Sequence, residues 1–381
     1  MNAARPETPA IATEVVPAEA RARQLAGALL VDVREDDERA AGSPLDAVGM
    51  PLASVAARIG AAAETSREIF AICASGARSL RAAAMLRDMG YARAASVNGG
   101  FQRWLREGLP LAAGALDADA SERYSRHLRL DEVGVAGQQK LARARVAMLG
   151  AGGLGSPAAL YLAAAGVGTL TLIDDDVVDR SNLQRQILHT DASVGTPKTA
   201  SAAATLRALN PHISIREHAT RLEAANVEML IADHDVVIDG ADNFPSRYLL
   251  SAACLRLRIP LVYGAVHRFT GQLSVFDARR DDSPCYRCLF AEPPAAEDAP
   301  NCAEAGVLGV LPGVIGTLQA TEAIKIVLGI GAPLVGRLLC YDALSATFRE
   351  LRLSRDAECP GCGAAATFTG YEDIARLCSA H

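Results

Sequence analysis

The sequence predicts two α/β units in series, a large doubly wound unit with a metal-type cysteine cluster, preceded by a smaller α/β unit. Three observations carry this. The run RVAMLGAGGLGSP reads as a strand feeding a glycine turn, Gly150-x-Gly152-x-x-Gly155, and then a helix. The next strand ends at Asp174, and a third delivers Asp242 and Asn243. Two knuckles, Cys285-x-x-Cys288 and Cys359-x-x-Cys362, lie in the same half. Upstream, ALLVDVRE, IFAICASGARS and AASVNGGFQRWLREGLPL form a separate series of strands, turns and helices.

At 381 residues the chain can bury two cores. Its composition is that of a globular protein, with 50% hydrophobic and 22% charged residues. Net charge is −6, and Met1 to Ala113 carries 13 basic and 13 acidic residues, so the deficit lies in the larger unit. A basic nucleic-acid footprint is absent. No apolar run approaches the ~20 residues of a membrane span. Residues 1–13 lack a signal peptide's apolar core, which leads to the expectation of a cytoplasmic protein. The expected layout is a disordered N-terminus at 1–13, the smaller unit at 14–113, a short flexible linker at 114–120 and the larger unit at 121–381.

In the smaller unit, the first strand ends in Asp32-Val33-Arg34. IFAICASGARS is a strand entering a loop, then a helix from about Ser79 to Met89. The loop Cys73-Ala-Ser-Gly76-Ala-Arg78-Ser79 sits at that helix's N-terminus, where amides and the helix dipole lower a thiol's pKa. DVR, CxxGxRS and NGGFQRW followed by GLPL resemble the rhodanese, or sulfurtransferase, domain over about Pro17 to Ala113. Phosphatase loops are typically Cys-x5-Arg. Here Cys73 and Arg78 are closer by one residue, and the smaller ring fits a single terminal sulfur. Cys73 is therefore read as a persulfide carrier, with Arg78 shaping the loop. One departure concerns the segment after the DVR strand. Rhodanese chains usually read G-H-I-P-G-A there, but this chain has Gly42-Ser43-Pro44-Leu45-Asp46-Ala47 and no histidine.

A glycine turn after a strand cradles a nucleotide phosphate with backbone N–H groups. Alone, the pattern goes with nicotinamide or flavin cofactors. Downstream stand Asn182, Gln184, Arg185, Lys198 and Asp242. A triphosphate needs such point charges and a metal ligand. Of 38 Lys and Arg residues only Lys140, Lys198 and Lys325 are lysines, so Lys198 at this position suggests a compact ammonium is required.

GAGGLG, D-x-D-x-V-x-x-SNLQRQ, the lysine after TP, and Asp242-Asn243-x-x-x-Arg247 resemble the adenylating domain of the MoeB/ThiF family, over about Ser121 to Ala366. That family is related to the ubiquitin-activating enzymes. The resemblance implies a Rossmann-like fold and activation of the C-terminal Gly-Gly of a small ubiquitin-like sulfur-carrier protein. Its carboxylate attacks the α-phosphate of ATP, giving an acyl-adenylate. The resemblance implies ATP contacts from Gly150, Gly152, Gly153, Asp174, Ser181, Asn182, Leu183, Gln184, Arg185, Lys198, Asp242 and Asn243. Arg185 and Lys198 grip phosphates, Asp174 binds the ribose and Asp242 holds Mg2+. No general base is needed, because the carboxylate is already ionised. Arg126, in RYSRHL, matches an arginine that reaches the neighbouring subunit's site, so a homodimer is implied.

Cys285, Cys288, Cys359 and Cys362 suit a closed structural Zn2+ site, as in that family. Cys254, Cys340 and Cys378 read as buried or incidental thiols. Cys302, in a Pro- and Ala-rich segment, matches a family cysteine that bonds to the carrier or exchanges sulfur with it. The combined expectation is carrier adenylation, then attack by the Cys73 persulfide, directly or through Cys302, to give a thiocarboxylate. The sulfur donor would be a cysteine desulfurase persulfide or thiosulfate. Familiar fusions place the sulfurtransferase after the adenylating domain, whereas here it comes first. SNLQRQILH and the fusion lean towards molybdopterin synthesis, with thiamine, siderophore and cysteine pathways open. A rhodanese unit that only docks a partner, a nicotinamide oxidoreductase and a non-catalytic scaffold remain as alternatives.

Overall fold

The computed structural model describes residues 13–40, 42–112, 116–293 and 306–377. Residues 1–12 of the N-terminus expected to be disordered, together with Cys302 and Cys378, lie outside them. The chain forms two compact units divided between Gln139 and Lys140, inside the helix Gly134–Arg143. The helix Ala118–Arg123, with Asp117 accepting from Ala120 N, occupies the end of the expected linker and runs on beyond it.

The first unit holds β1 (Glu14–Val15), β2 (Leu29–Asp32), β3 (Val48–Gly49), β4 (Ile69–Ile72) and β5 (Ala94–Val97). They form one parallel sheet in the order β1-β5-β4-β2-β3. A parallel sheet is covered on both faces, which explains apolar runs such as LLV and IFAI. Leu29, Val31, Ile69 and Ala71 face one core. Leu30, Phe70, Ile72 and Trp104 face the other. The alternation continues past β4 and turns Cys73 into the first core. The helix after the loop is Ala77–Asp88, two residues earlier than expected. Gly76, at φ +113°, reverses the chain so that helical turns begin at Ala77.

The second unit holds β6 (Arg145–Leu149), β7 (Thr169–Ile173), β8 (Ser214–His218), β9 (Val236–Asp239), β10 (Leu261–His267), β11 (Thr270–Phe276), β12 (Arg337–Asp342) and β13 (Thr347–Arg352). Their order is β13-β12-β11-β10-β9-β6-β7-β8. Strands β6 to β10 pair in parallel, and β10 to β13 antiparallel. The chain winds from β6 to β7 and β8 on one side, then returns to β9 on the other. Ligand clefts open at such a switch point, beyond the carboxyl ends of the strands. Those ends touch here, since a β-carbon on Gly150 would lie 2.7 Å from Gly240 O, and one on Gly240 2.7 Å from Leu149 O. Strand β9 stops at Asp239, so Asp242 and Asn243 are delivered by the following turn rather than by the strand itself.

The helix Leu311–Leu328 corrects the expectation that no apolar run is long enough to span a membrane, because its length and composition meet that test. Half of it is buried within the unit. Gln319 Nε2 donates to Asp239 O at 2.7 Å, and Glu322 accepts from Leu334 N at 2.8 Å. These bonds tie a core helix to the sheet through Gln319 Nε2 and Glu322, while Gln319 Oε1 is buried without a partner among the described residues.

Candidate functional site

The glycine turn lies where β6 gives way to the helix Gly155–Ala165. Gly155 packs so tightly that a β-carbon would sit 1.9 Å from Gly150 O. Ala151, within the turn, is held from both sides. Its N–H donates to Asp174 Oδ2 at 2.8 Å, and its carbonyl lies 3.0 Å from His189 Nε2. A carbonyl can only accept, so Nε2 carries a proton, and Nδ1 faces Ser201 Oγ at 3.0 Å. Burial lowers the His189 pKa, which favours a neutral ring.

Asp174 follows β7 directly and also accepts from Asp176 N at 2.9 Å. Burial raises its pKa, and Lys198 opposes the rise. Lys198 opens the helix Lys198–Leu209 and is buried, with Nζ 2.6 Å from Asp176 Oδ2. A buried ammonium needs such a partner. The segment from Ser181 to Arg185 starts in a short turn, Arg180–Asn182, capped by Asp179 through Ser181 N at 2.7 Å and Ser181 Oγ at 2.5 Å. Arg185 Nη2 donates to Asn182 Oδ1 at 2.8 Å. Its Cγ lies 3.6 Å from where a Gly153 β-carbon would be, so its stem covers the glycine turn. Leu183 is half-buried, and Gln184 abuts Gly309, where a β-carbon would fall 2.1 Å from Gln184 Oε1. Beside the turn, Ser156 Oγ and Gln186 Oε1 are buried without a partner among the described residues.

Asp242 is exposed and accepts from Asn243 Nδ2 at 3.2 Å. Asn243 caps the helix Phe244–Leu257 through Ser246 N. The preceding residue, Ala241, is held as Ala151 is. Asp239 Oδ1 accepts its N–H at 2.9 Å, and Arg247 Nη2 donates to its carbonyl at 2.6 Å. Burial raises the pKa of Asp239, while the Arg247 guanidinium, 3.9 Å away, opposes this.

The fold thus gathers Gly150, Gly152, Gly153, Asp174 and Arg185 around one turn, with the Asp242 loop at the adjoining strand end. Lys198 joins through Asp176. Arg126 lies in the first unit, at the start of the turn His127–Arg129. Sequence reasoning gave no role to Asp176, His189 or Asp239. Asp176 is hidden in the acidic run Asp174–Asp176, and His189 in LQRQILH, where nothing marks a buried imidazole.

The four knuckle sulfurs lie within 4.8 Å of one another. Cys285 Sγ is 3.6 Å from Cys359 Sγ, and Cys288 Sγ 3.4 Å from Cys362 Sγ. Tetrahedral zinc, with Zn–S of about 2.3 Å, would separate sulfurs by about 3.8 Å, so the donor set fits. Hydrogen bonds from Cys285 and Cys362 favour a thiolate on Cys288. Gly361 N reaches Cys359 Sγ at 3.3 Å, and Asp356 N reaches Cys288 Sγ at 3.5 Å, as knuckle amides do. Arg355 bonds Asp281 O at 2.6 Å and Cys362 O at 2.5 Å, joining the two arms.

In the first unit Cys73 Sγ accepts from Gly76 N at 3.2 Å and lies 3.4 Å from Ser79 Oγ. Burial opposes ionisation of the thiol. Hydrogen bonds from Ser79 and from the Gly76 and Ser75 amides outweigh it, and the pKa falls below its ordinary value. Arg78 forms a bidentate pair with Glu38, at 2.5 and 2.6 Å. Gly100, at φ +58°, presses on the loop, where a β-carbon would meet Cys73 O at 2.2 Å. The missing histidine does not free the segment after β2. Ser43 Oγ donates to the buried Asp32 at 3.1 Å, and Gly42 O accepts from Arg34 Nη2 at 2.6 Å.

A switch-point glycine turn with buried countercharges defines a nucleotide-binding α/β unit, accompanied here by a thiolate loop. Residues 124–361 match the ThiF family, and the chain belongs to it. Residues 16–107 match the Rhodanese-like domain. The chain is similar to the SAMP-activating enzyme E1 of Haloferax volcanii, with 53% identity over 249 residues, 65% of this chain and 91% of that protein. It is 47% identical over 260 residues to the Sulfur carrier protein adenylyltransferase of Thermus thermophilus, 68% of this chain and 96% of that one. Adenylyltransferase and sulfurtransferase MOCS3-2 of Zea mays is 49% identical over 265 residues, 69% of this chain but only 54% of that relative's length.

Proposed function

We propose that this chain adenylates the C-terminal Gly-Gly of a ubiquitin-like sulfur-carrier protein with ATP, then passes it sulfur from Cys73. The observation that carries this reading is the meeting of the glycine turn, Asp174, Arg185 and the Asp242 loop at one switch point. The partnered cation Lys198 stands beside them. The names of the Thermus and maize relatives support both steps.

Phosphates on the turn would exchange Lys198 from Asp176 and Arg185 from Asn182; until ATP arrives the first is neutralised by a carboxylate, whereas the second keeps its charge and is only held in place by an amide oxygen. Asp174, braced by two amides, keeps acceptor capacity for the ribose. Asp242 would hold Mg2+, which would supply neutralisation of phosphate charge there. The carrier carboxylate forms a bond to the α-phosphorus, the α–β bond breaks and pyrophosphate leaves. In the first unit the Cys73 thiolate takes a sulfur atom from a persulfide or thiosulfate, releasing a thiolate or sulfite. The terminal sulfur then attacks the carrier carbonyl and AMP departs. A dithiol reductant cleaves the resulting acyl disulfide to a thiocarboxylate and the free Cys73 thiol, and is itself oxidised to a disulfide. Zinc would be held by the four knuckle cysteines and supply structural ties rather than chemistry.

Tyr161, Ile187, Val310 and Phe348 form an exposed apolar face, which fits a second copy of the chain. Arg126 would then complete the neighbouring subunit's site. The MoeB-like SNLQRQILH run and the fusion favour molybdopterin synthesis.

The test is pyrophosphate exchange with a Gly-Gly carrier, followed by the carrier's mass. Cys73→Ala is expected to keep wild-type exchange and to make no thiocarboxylate from thiosulfate. Cys302→Ala is expected to slow thiocarboxylate formation alone. Wild-type thiocarboxylate from Cys73→Ala would reduce the first unit to a docking module. Absence of exchange with every Gly-Gly carrier would remove the adenylation step.

A further inference from the structure

We propose that His189 yokes the glycine turn to the helix that carries Lys198, and so holds both phosphate-binding elements in place for ATP. This rests on the reading of the turn as the cradle for the nucleotide's phosphates. His189 follows the segment from Ser181 to Arg185 and is 6% exposed. In the neutral ring Nε2 donates to Ala151 O at 3.0 Å, and Ser201 Oγ, also at 3.0 Å, donates to Nδ1. Both ring nitrogens are thus committed, one to the turn and the other to the helix Lys198–Leu209. Ser201 stands three residues after Lys198, so the two share one side of the first helical turn. The residue before the histidine adds a tie to the same helix, since Thr205 Oγ1 donates to Leu188 O at 2.8 Å.

Ala151 reaches that helix by a second route. Its N–H donates to Asp174 Oδ2 at 2.8 Å, and Asp174 Oδ1 accepts from Asp176 N at 2.9 Å. Asp176 O in turn accepts from Lys198 N at 2.9 Å, and its carboxylate holds the Lys198 ammonium. The bonds close a ring that runs from Ala151 through Asp174, Asp176, the first turn of the helix and His189 back to Ala151. This ring decides where one donor points. Ala151 C=O and Gly152 N–H belong to one planar peptide and point opposite ways. Gripping the carbonyl therefore turns the Gly152 N–H away from His189, and that N–H has no partner among the described residues. A free amide ahead of a helix serves a phosphate oxygen. His189 is a positioning residue, since its nitrogens face a peptide and a hydroxyl rather than the nucleotide.

The full-length protein is compared with three variants. His189→Phe keeps an aromatic ring and removes both nitrogens. His189→Gln supplies an amide nitrogen in place of Nε2, and Ser201→Ala cuts only the tie to the helix. Two quantities are read: the Kd for ATP in the presence of Mg2+, and hydrogen exchange of the Ala151 amide in the ligand-free protein. His189→Phe is expected to raise the Kd and to speed the exchange, each about tenfold. Ser201→Ala should change each about threefold in the same direction. His189→Gln should return both to within about twofold of wild type. A folded His189→Phe protein with wild-type Kd and wild-type exchange overturns the proposal. So does a His189→Gln protein as impaired as His189→Phe, because the donor to Ala151 would then be immaterial. Should His189→Phe not fold, Ser201→Ala decides, and unchanged Kd and exchange in that variant overturn the yoke. A wild type that binds no ATP overturns the reading of the turn instead, and exchange at Ala151 then decides the yoke on its own.

Discussion

The Cys73 loop and the glycine turn solve the same problem in opposite ways. Both sit at the carboxyl ends of parallel strands and offer backbone N–H groups to an anion. The Cys73 loop carries its sulfur with it, a thiol whose ionisation Gly76 N and Ser79 favour, and its arginine makes a structural pair with Glu38. The glycine turn must admit a polyanion from solution. Its cations are held on nearby oxygens, Lys198 on Asp176 and Arg185 on Asn182, ready to be exchanged. A loop built around a covalent anion can be closed and buried. A site for a free polyanion must stay open, with one cation parked on a carboxylate and another held but uncompensated until the ligand comes.

The comparison breaks first at Asp242. Asp242→Ala should abolish pyrophosphate exchange, by at least about a hundredfold, because no other residue is assigned to the metal. Mixing it with Arg126→Ala protein should restore part of the activity through hybrid sites. Wild-type exchange by Asp242→Ala refutes its role, and absence of rescue despite subunit exchange counts against a shared site.

A sharper version separates two lysines. Lys198→Ala should raise the KM for ATP about tenfold or more, since on the proposed reading it removes a buried cation that meets phosphate. Lys140 Nζ instead donates to Leu328 O at 3.0 Å, at the end of the core helix. Lys140→Ala should leave the KM unmoved and cost about 1 kcal/mol of stability. Equal KM shifts in denaturation-controlled assays would show that charge alone, not position, matters.

The smallest effect is expected at Ser79. Its hydroxyl helps hold the Cys73 thiol below the ordinary thiol pKa. Thiolate is fully formed above that lowered pKa and is lost as pH falls through it. Ser79→Ala should shift the midpoint of thiol alkylation to higher pH and slow sulfur uptake at pH 7 about threefold, with recovery in alkaline buffer. An unshifted midpoint would assign the lowering to the loop amides alone.

The sequence by itself was enough for the two α/β units, the glycine turn, the Cys73 loop and the pairing of the cysteine knuckles. These rest on local spacing: a turn needs glycines at fixed offsets, and a thiolate loop needs a strand before it and a helix after it. Lys198 and Arg185, the cations proposed to meet phosphate, were singled out for the same reason, as exceptional residue types in a recognisable order. Asp176, Asp239 and His189 were not legible, because their meaning lies in which peptide or cation each one faces across strands far apart in the chain. The same holds for Ser43, which stands where rhodanese chains usually carry a histidine and donates to Asp32. The apolar length of Leu311–Leu328 likewise says nothing of its place until Gln319 is seen bonded to the end of β9. Burial and partner choice are properties of packed strands and helices, so only the tertiary structure could decide that Ala151 and Ala241 are each clamped from both sides.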